Sequence, residues 1–599
     1  MRAIGRLFVW FVVPVVFAVY LVTLSPTVGL IDSGELAAGC YLLNILHPTG
    51  YPLYTMLGRL ASLIPVGMVV NRVAVLSAAL AACGVGLFLL LGLRLGVSRT
   101  VAGAGALVLG FSFLVWAVAV DVEVYALTFV LVLLLWLGTE SALRGGYLLV
   151  LAYLTGLILT NHLSGTSAVL GAALSVVLSY RGRLMRRIPG LALFFLLGVT
   201  PYLFLVLRAR AGPLLAWGDP VDIERFWWHV TGKQYRVWMF SRSFAEVLGN
   251  AGRGAALLAR SLLYVLVPVV FYGAVRLFRR RRNLAIGLAA SFVLAFGYTV
   301  DYSIPDIESY YLPCLVVLAV FGMVGLDGLM SNVDRRMSNA GRFGVRHLRI
   351  VIRQLPWLTG VVALLANFRV AGKQGDYVAH DFAMNTLASA ERRATIITDN
   401  WDFYAPAFYL QHVERVRPDV CLIDKELLRR SWYFGYLSRA YPLLVERSRA
   451  EIESYRQYLD QFEHGRLRDA AEIQQRYIAL LQSFLARSPE RPAYTTFDAD
   501  AGSDASQMLA GATRAPVGLL FQIRSDTTLP EFDYRRLVVR TPRHEPDMPI
   551  KATLERYRYV LLHRLGALAI RGQEGRIDSL VRWYRSLPLA SLAPLPVSP

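Results

Sequence analysis

The sequence predicts a polytopic α-helical membrane protein that carries a C-terminal soluble α/β domain, on three observations. The 599 residues are 55% hydrophobic and only 17% charged, and the mean hydropathy is +0.46, which does not fit a string of soluble domains. Apolar runs of membrane length recur as far as residue 368. From residue 369 onward the chain is far more polar and short strand-like runs appear. The expected division is a transmembrane module over 1–368 and a soluble part with terminal helices over 369–599.

The first apolar run, 7–25, follows Arg2 and Arg6, which hold the N-terminus inside. No small-x-small cleavage site follows it, so it reads as an uncleaved first span. Further runs lie near 73–93, 101–119, 125–138, 147–160, 164–180, 189–207, 257–275, 284–300, 310–326 and 352–368, about eleven spans in all. On that count RGRLMRR (181–187), RLFRRRR (276–282) and the segment from Arg335 to Arg353 all fall on the inner side. The formal charge of +20 is therefore a topology signal. Nucleic acid is excluded as a partner, because the basic runs are short, abut apolar spans and lack interleaved aromatics to stack bases. The last run decides where the C-terminal part lies. Arg353 and Gln354 trim it to 14 apolar or small residues; if it spans, everything after it shares the outer side.

In the polar part, ATIITD (394–399) and VCLID (420–424) read as strands flanking the helix FYAPAFYLQHVE, a β-α-β unit. PAYTTF (492–497) and PVGLLFQI (516–523) are two further strands, and two helices separated near Gly572 close the chain, as one tetratricopeptide-like pair would. Cys40, Cys83, Cys314 and Cys421 are scattered and imply neither a disulfide framework nor a zinc site.

Ionisable side chains avoid the spans, where each costs about 2.5–3.5 kcal/mol at mid-bilayer. On the expected topology Asp32, Glu35, His47, Asp121, Glu123, Asn161, His162, Arg208, Asp219, Asp301, Asp306 and Glu308 all gather at the outer face, from separate loops. Random decoration would use both faces; a one-sided cluster marks a site.

Each member also has a plain structural reading. Asp32-Ser-Gly-Glu35 fits a capping box for a helix over Glu35–Leu46, with Asp32 accepting a backbone N–H and Glu35 reaching back; that role and a catalytic one are compatible. HPTGYPLY (47–54) is a turn between two interfacial helices, hinged over His47–Tyr51, with Pro52 starting the second. DVEVY (121–125) places two carboxylates at a span boundary, where solvation alone would explain them. In TNHLSG (160–165), Asn161 and His162 sit between two apolar runs; His162 is either a packed histidine or a donor to a phosphate oxygen. The outer segment 208–256 holds Arg208, Arg225, Lys233, Arg236 and four tryptophans including Trp217, fit for an anionic headgroup and a sugar ring or for an interfacial belt.

DSGEL, HPTGYPLYTMLGRL, EVYAL (123–127), GLILTNHLSG (156–165), PYLFLVLRA (201–209), WGDP (217–220), QYR (234–236) and DIESYYLP (306–313), with YLQHVERVRPDVCLIDKELLRRSWY (409–433), occur in that order. Together they resemble the protein O-mannosyltransferase-like family of GT-C membrane glycosyltransferases. The resemblance implies a GT-C fold, a polyprenyl-phosphate-linked sugar as donor, and a catalytic acidic residue in the first outer loop: Asp32 as general base, with Glu35 beside it. It brings His47, Tyr51, Asp121, Glu123, Asn161, His162, Arg208, Trp217, Asp219, Lys233, Arg236, Asp306 and Tyr311 into the substrate-binding set. No metal or other cofactor is implied, since a polyprenyl phosphate is already a good leaving group; DAD (498–500) is a spacing coincidence and not a nucleotide-sugar motif. The acceptor would be a hydroxyl of a protein or glycan. With no N-x-Ser/Thr sequon and basic residues that are nearly all arginine, the expected setting is a bacterial cytoplasmic membrane with the site facing outward. The rival from another class is a transporter or flippase of a lipid-linked sugar, which would show internal repeats and mid-membrane polar sites; neither is evident.

Overall fold

The computed structural model describes residues 11–339, 345–486, 492–498 and 504–596. Arg2, Arg6 and most of the loop after Asn339 lie outside them, as do Ala499 and Asp500 of the DAD triplet. Asp498 itself pairs with Arg514 at 2.8 Å, a structural role.

Among the described residues, six helices are long and apolar enough to cross a membrane, or seven if the pair Arg99–Gly110 and Phe113–Ala119, bent by 63° at its break, forms one span. This is fewer than the eleven runs expected, for three local reasons. Val12–Val22 and Leu148–Leu159 are apolar but short, at 11 and 12 residues. The run 257–275 is not one helix: Phe244–Ser261 and Val267–Arg280 are separated by Leu263 and Tyr264, both at positive φ. Finally, residues 163–210 count as a single 48-residue stretch, yet the chain passes twice within it. Tyr202 donates its hydroxyl to the Leu159 carbonyl, and Gly156 lies against Gly198. A straight helix would put these residues about 65 Å apart at 1.5 Å per residue, so the chain reverses at Arg181, where φ is 46°.

Small residues let the spans approach. A Cβ on Gly171 would lie 2.3 Å from the Gly287 carbonyl oxygen, and Ser175 and Ser291 line the same crossing, which is how helices associate where lipid offers no hydrophobic drive. The doubtful last run forms part of the 27-residue helix Val345–Ala371. It is docked on the third apolar run by Asn367, which donates to the Phe111 carbonyl at 2.9 Å.

Beyond it lies a five-stranded sheet of order β2-β1-β3-β5-β4. β1 (Thr395–Thr398) runs parallel to β2 (Cys421–Asp424) and to β3 (Ala493–Thr495); β4 (Thr513–Val517) and β5 (Leu520–Arg524) form an antiparallel hairpin attached through β5 to β3. The helix Trp401–His412 joins β1 to β2, giving the β-α-β unit read from the sequence. That helix packs on Ser33–Leu42 so closely that a Cβ on Gly34 would sit 2.2 Å from the Ala405 carbonyl oxygen. In a free helix Gly→Ala gains about 0.5–1 kcal/mol. Here the obstacle is backbone, so Gly34→Ala is expected to destabilise by about 1–3 kcal/mol, read as a lowered thermal midpoint of the purified protein.

Candidate active site

The segment between the helices Val12–Val22 and Val69–Arg94 builds the site. Asp32 stands at the N-cap of Ser33–Leu42, but its side chain caps nothing; the capping box expected from DSGE does not form. Both carboxylates have other partners. Asp32 Oδ1 accepts from Trp401 Nε1 at 3.0 Å. Glu35, 2% exposed, accepts from the His47 backbone N–H at 2.8 Å and from His47 Nδ1 at 2.7 Å. The helix ends early at Leu42, with Leu43 left-handed (φ 53°), and this turn swings His47 back over Glu35. As expected, Pro52 opens the next helix.

His47 joins both acids, with Nε2 lying 3.6 Å from Asp32 Oδ2 and 2.8 Å from the Tyr51 hydroxyl. Tyr51 in turn donates to the Pro48 carbonyl at 3.1 Å. A doubly protonated imidazole satisfies every atom of this chain: Nδ1–H on Glu35, Nε2–H on the Tyr51 oxygen, and the Tyr51 hydrogen on Pro48. Burial works against that charge, yet Glu35 and then Asp32 outweigh it and raise His47 to about 9. Asp32 is pushed above the usual carboxylate range by burial and Glu35, against the pull of His47 and Trp401, so it is a stronger base than an ordinary aspartate. Asp306 is also raised, by burial and by Asp32, and Glu123 by burial, Asp121 and Asp306.

The raised His47 pKa gives a signed pH dependence. Its coupling to the two acids supports the fold fully below its ordinary value of 6.5 and is lost as pH rises through about 9. An activity that needs the imidazolium falls on the same limb. Glu35→Gln removes the larger raising charge, so the upper limb of the kcat/KM profile is expected to move to lower pH; an unmoved limb would detach it from His47.

His162 is the opposite case. Its Nδ1 accepts from the Ser164 backbone N–H at 3.0 Å, and burial and then His47 lower it to about 3, leaving a neutral ring with its proton on Nε2. Its ring stacks on Tyr51 at 5.6 Å and meets Tyr125 and Tyr310 at 4.7 and 5.1 Å. Below it opens a cleft of about 560 Å³ between the helices Thr166–Tyr180 and Arg282–Asp301. His162, Ser164, Tyr235 and Tyr310 stand at its polar end, and Leu170, Val293 and Leu294 form its apolar wall. The latter three are largely exposed.

Trp217 reaches the site because Ile45 and Leu215–Trp217 exchange backbone hydrogen bonds of 3.0 and 3.2 Å. Its ring lies 5.9 Å from His47 and 4.7 Å from Trp432. Other candidates do not join this group. Asp121 accepts from Lys373, Ser33 Oγ and the Val122 N–H, which ties the loop down. Asn161 donates to the Val124 carbonyl and Thr128. Arg208 donates through Nε to the Leu43 carbonyl at 2.9 Å. Lys233 bonds the Glu463 carbonyl and lies 3.2 Å over the Trp228 ring. Arg236 bonds Thr231, and Asp219 is near Arg225 and Arg439. In DIESYYLP it is Tyr310 that lines the cleft, while Tyr311 turns away against Gly254 and Phe296. Sequence reasoning passed over Trp401, Tyr235, Tyr310 and Lys373; only Tyr235 and Tyr310, inside QYR and SYY, carried a signal.

Asp32, Glu35 and His47 offer ligand atoms within 4.8 Å of one another, a grouping able to hold a metal ion. Both His47 ring nitrogens are already hydrogen-bonded, to Glu35 and to Tyr51, so an ion would have to displace one of those partners.

Residues 32–184 match the family model described as the Protein O-mannosyl-transferase TMEM260 N-terminal domain. The chain is 27% identical over 466 residues to the mouse (Mus musculus) Protein O-mannosyl-transferase TMEM260, a match covering 71% of this chain and 64% of that relative's length. Among solved structures, ArnT from Cupriavidus metallidurans bound to undecaprenyl phosphate is 12% identical with a TM-score of 0.46, over 71% of this chain and 91% of that one. Its apo state gives 0.44 at 12% identity, over 72% and 92%. The resemblance to the protein O-mannosyltransferase-like family is borne out by the family model and the mouse relative, and residues 32–184 carry the family-model match.

Proposed function

We propose that this protein is a GT-C glycosyltransferase moving a mannose-like sugar from a polyprenyl-phosphate donor to an acceptor hydroxyl, a protein Ser or Thr or a glycan. It would act at the outer face of a bacterial cytoplasmic membrane. The observation that supports this best is the coupling of Asp32, through His47 and Tyr51, to the polar end of a cleft with an exposed apolar wall. A prenyl chain suits the wall of Leu170, Val293 and Leu294; a phosphate suits the head, where the His162 Nε2–H is a donor, its ring held by the Ser164 N–H and hydroxyl on Nδ1.

In this reading the acceptor oxygen attacks the anomeric carbon and Asp32 takes its proton. The bond to the phosphate oxygen breaks, and the polyprenyl phosphate leaves with the electron pair. His162 donates to the charge gathering on that phosphate without adding charge of its own. His47 holds Asp32 in place, and its positive charge keeps two neighbouring acids from repelling each other. Trp217, Tyr235 and Tyr310 offer faces for the sugar ring. One displacement inverts the anomeric centre, so product made from a donor of known configuration should show the opposite anomer by NMR; retention would sink the single-displacement mechanism.

A further inference from the structure

Sharing no residue with this site, the segment 531–537 and the last two helices line an open cavity of about 740 Å³, within the range of roughly 300–1,000 Å³ that holds small ligands. Arg564, on the helix Met548–Ala569, lines it and is 4% exposed. Its Nη1 donates to the Pro516 carbonyl at 2.9 Å, and among the described residues it forms no ion pair. Its charged neighbours are Arg576, Arg571 and Glu531, and Glu531 is already paired with Arg576 at 2.8 Å. A buried guanidinium without a carboxylate, next to two more arginines, is unfavourable unless an anion completes it. The other wall is aromatic: Tyr534 lies 5.0 Å from Phe532 and 5.5 Å from Trp583, ring to ring.

We propose that this cavity binds a small acidic sugar, a ring bearing a carboxylate or a phosphate, with Arg564 pairing to the oxyanion and Trp583 flanking the ring. The planar guanidinium fits either oxyanion in bidentate fashion, and an aromatic side chain covers a sugar face where an aliphatic one would not. The proposal is independent of the transferase reading, since none of these residues belongs to the Asp32 site.

The test is isothermal titration calorimetry of the full-length protein in detergent with glucuronate, glucose 6-phosphate, neutral glucose and inorganic phosphate. At least one acidic sugar should bind saturably, one per chain, and about ten-fold more tightly than glucose or inorganic phosphate. Arg564→Met should weaken that binding about ten-fold or more, with the thermal midpoint lowered only by the loss of the bond to the Pro516 carbonyl, because an apolar side chain of similar volume tolerates burial. Should Arg564→Met fail to fold, Arg576→Gln on the exposed rim should still weaken binding several-fold. No binding of either acidic sugar, inorganic phosphate bound as tightly as the sugar acids, or unchanged affinity in the foldable variants would each overturn the proposal.

Discussion

Asp32→Asn is expected to lower kcat by about 10²–10⁴-fold, the usual contribution of a positioned general base, while leaving the thermal midpoint nearly unchanged. The split follows from the contacts. Asp32 Oδ1 accepts from Trp401, a bond an amide oxygen can keep, and the carboxylate caps no helix N–H; the fold loses only the weaker of the two acid couplings to His47, since Glu35 keeps its own. What asparagine cannot do is take a proton. Glu35, buried and bonded twice to His47, is a worse candidate for base because its oxygens are occupied. The measurement is initial rate against donor concentration for both proteins, with thermal denaturation of each as control. Near-wild-type turnover in Asp32→Asn would remove Asp32 as the base.

Lys373→Met should have the largest effect on stability. Lys373 Nζ lies 2.6 Å from Asp121 Oδ2, and the Asp121 side chain is 5% exposed. The Lys373 backbone N–H also reaches the Thr23 carbonyl. The pair therefore joins the chain just after the helix Val12–Val22, the loop at 121 and the chain leaving the helix Val345–Ala371. Removing one partner of a buried pair costs about 3–5 kcal/mol. With the lysine side chain 30% exposed, water recovers part of that, and about 2–3 kcal/mol is expected. Asp121 would keep Ser33 and the Val122 N–H. Those two are too few to solvate a buried carboxylate fully. The double variant Lys373→Met with Asp121→Asn should be more stable than the single lysine variant, measured by thermal midpoint; strictly additive losses would mean that the two residues do not act as a pair.

The two motifs of the first loop were legible because their chemistry is local: an acid pair at a helix start, then a Pro-Gly turn. Their exact use was not. DSGE satisfies the capping pattern, but Trp401 and His47 compete for the same oxygens and win, and Trp401 comes from 369 residues away. Asp121 likewise looks like a site acid until Lys373 is seen beside it. Tyr310 and Tyr311 are indistinguishable in sequence because the short 3-10 helix Ile307–Tyr311 sets which of them faces the cleft. Apolar runs located the spans well where a helix is continuous. They failed at 257–275, where composition is apolar throughout and the break is made by left-handed Leu263 and Tyr264, residues with no turn signature. Hydropathy reads what the chain is made of, and not where the backbone turns.

Donor choice tests the polyprenyl-phosphate transferase reading directly. Purified protein would be given a Ser/Thr peptide and radiolabelled mannose on either undecaprenyl phosphate or GDP. Label is expected on the peptide, with release of undecaprenyl phosphate, from the lipid-linked donor alone, and that transfer should be lost in Asp32→Asn. Transfer from GDP-mannose without any lipid intermediate would contradict that reading.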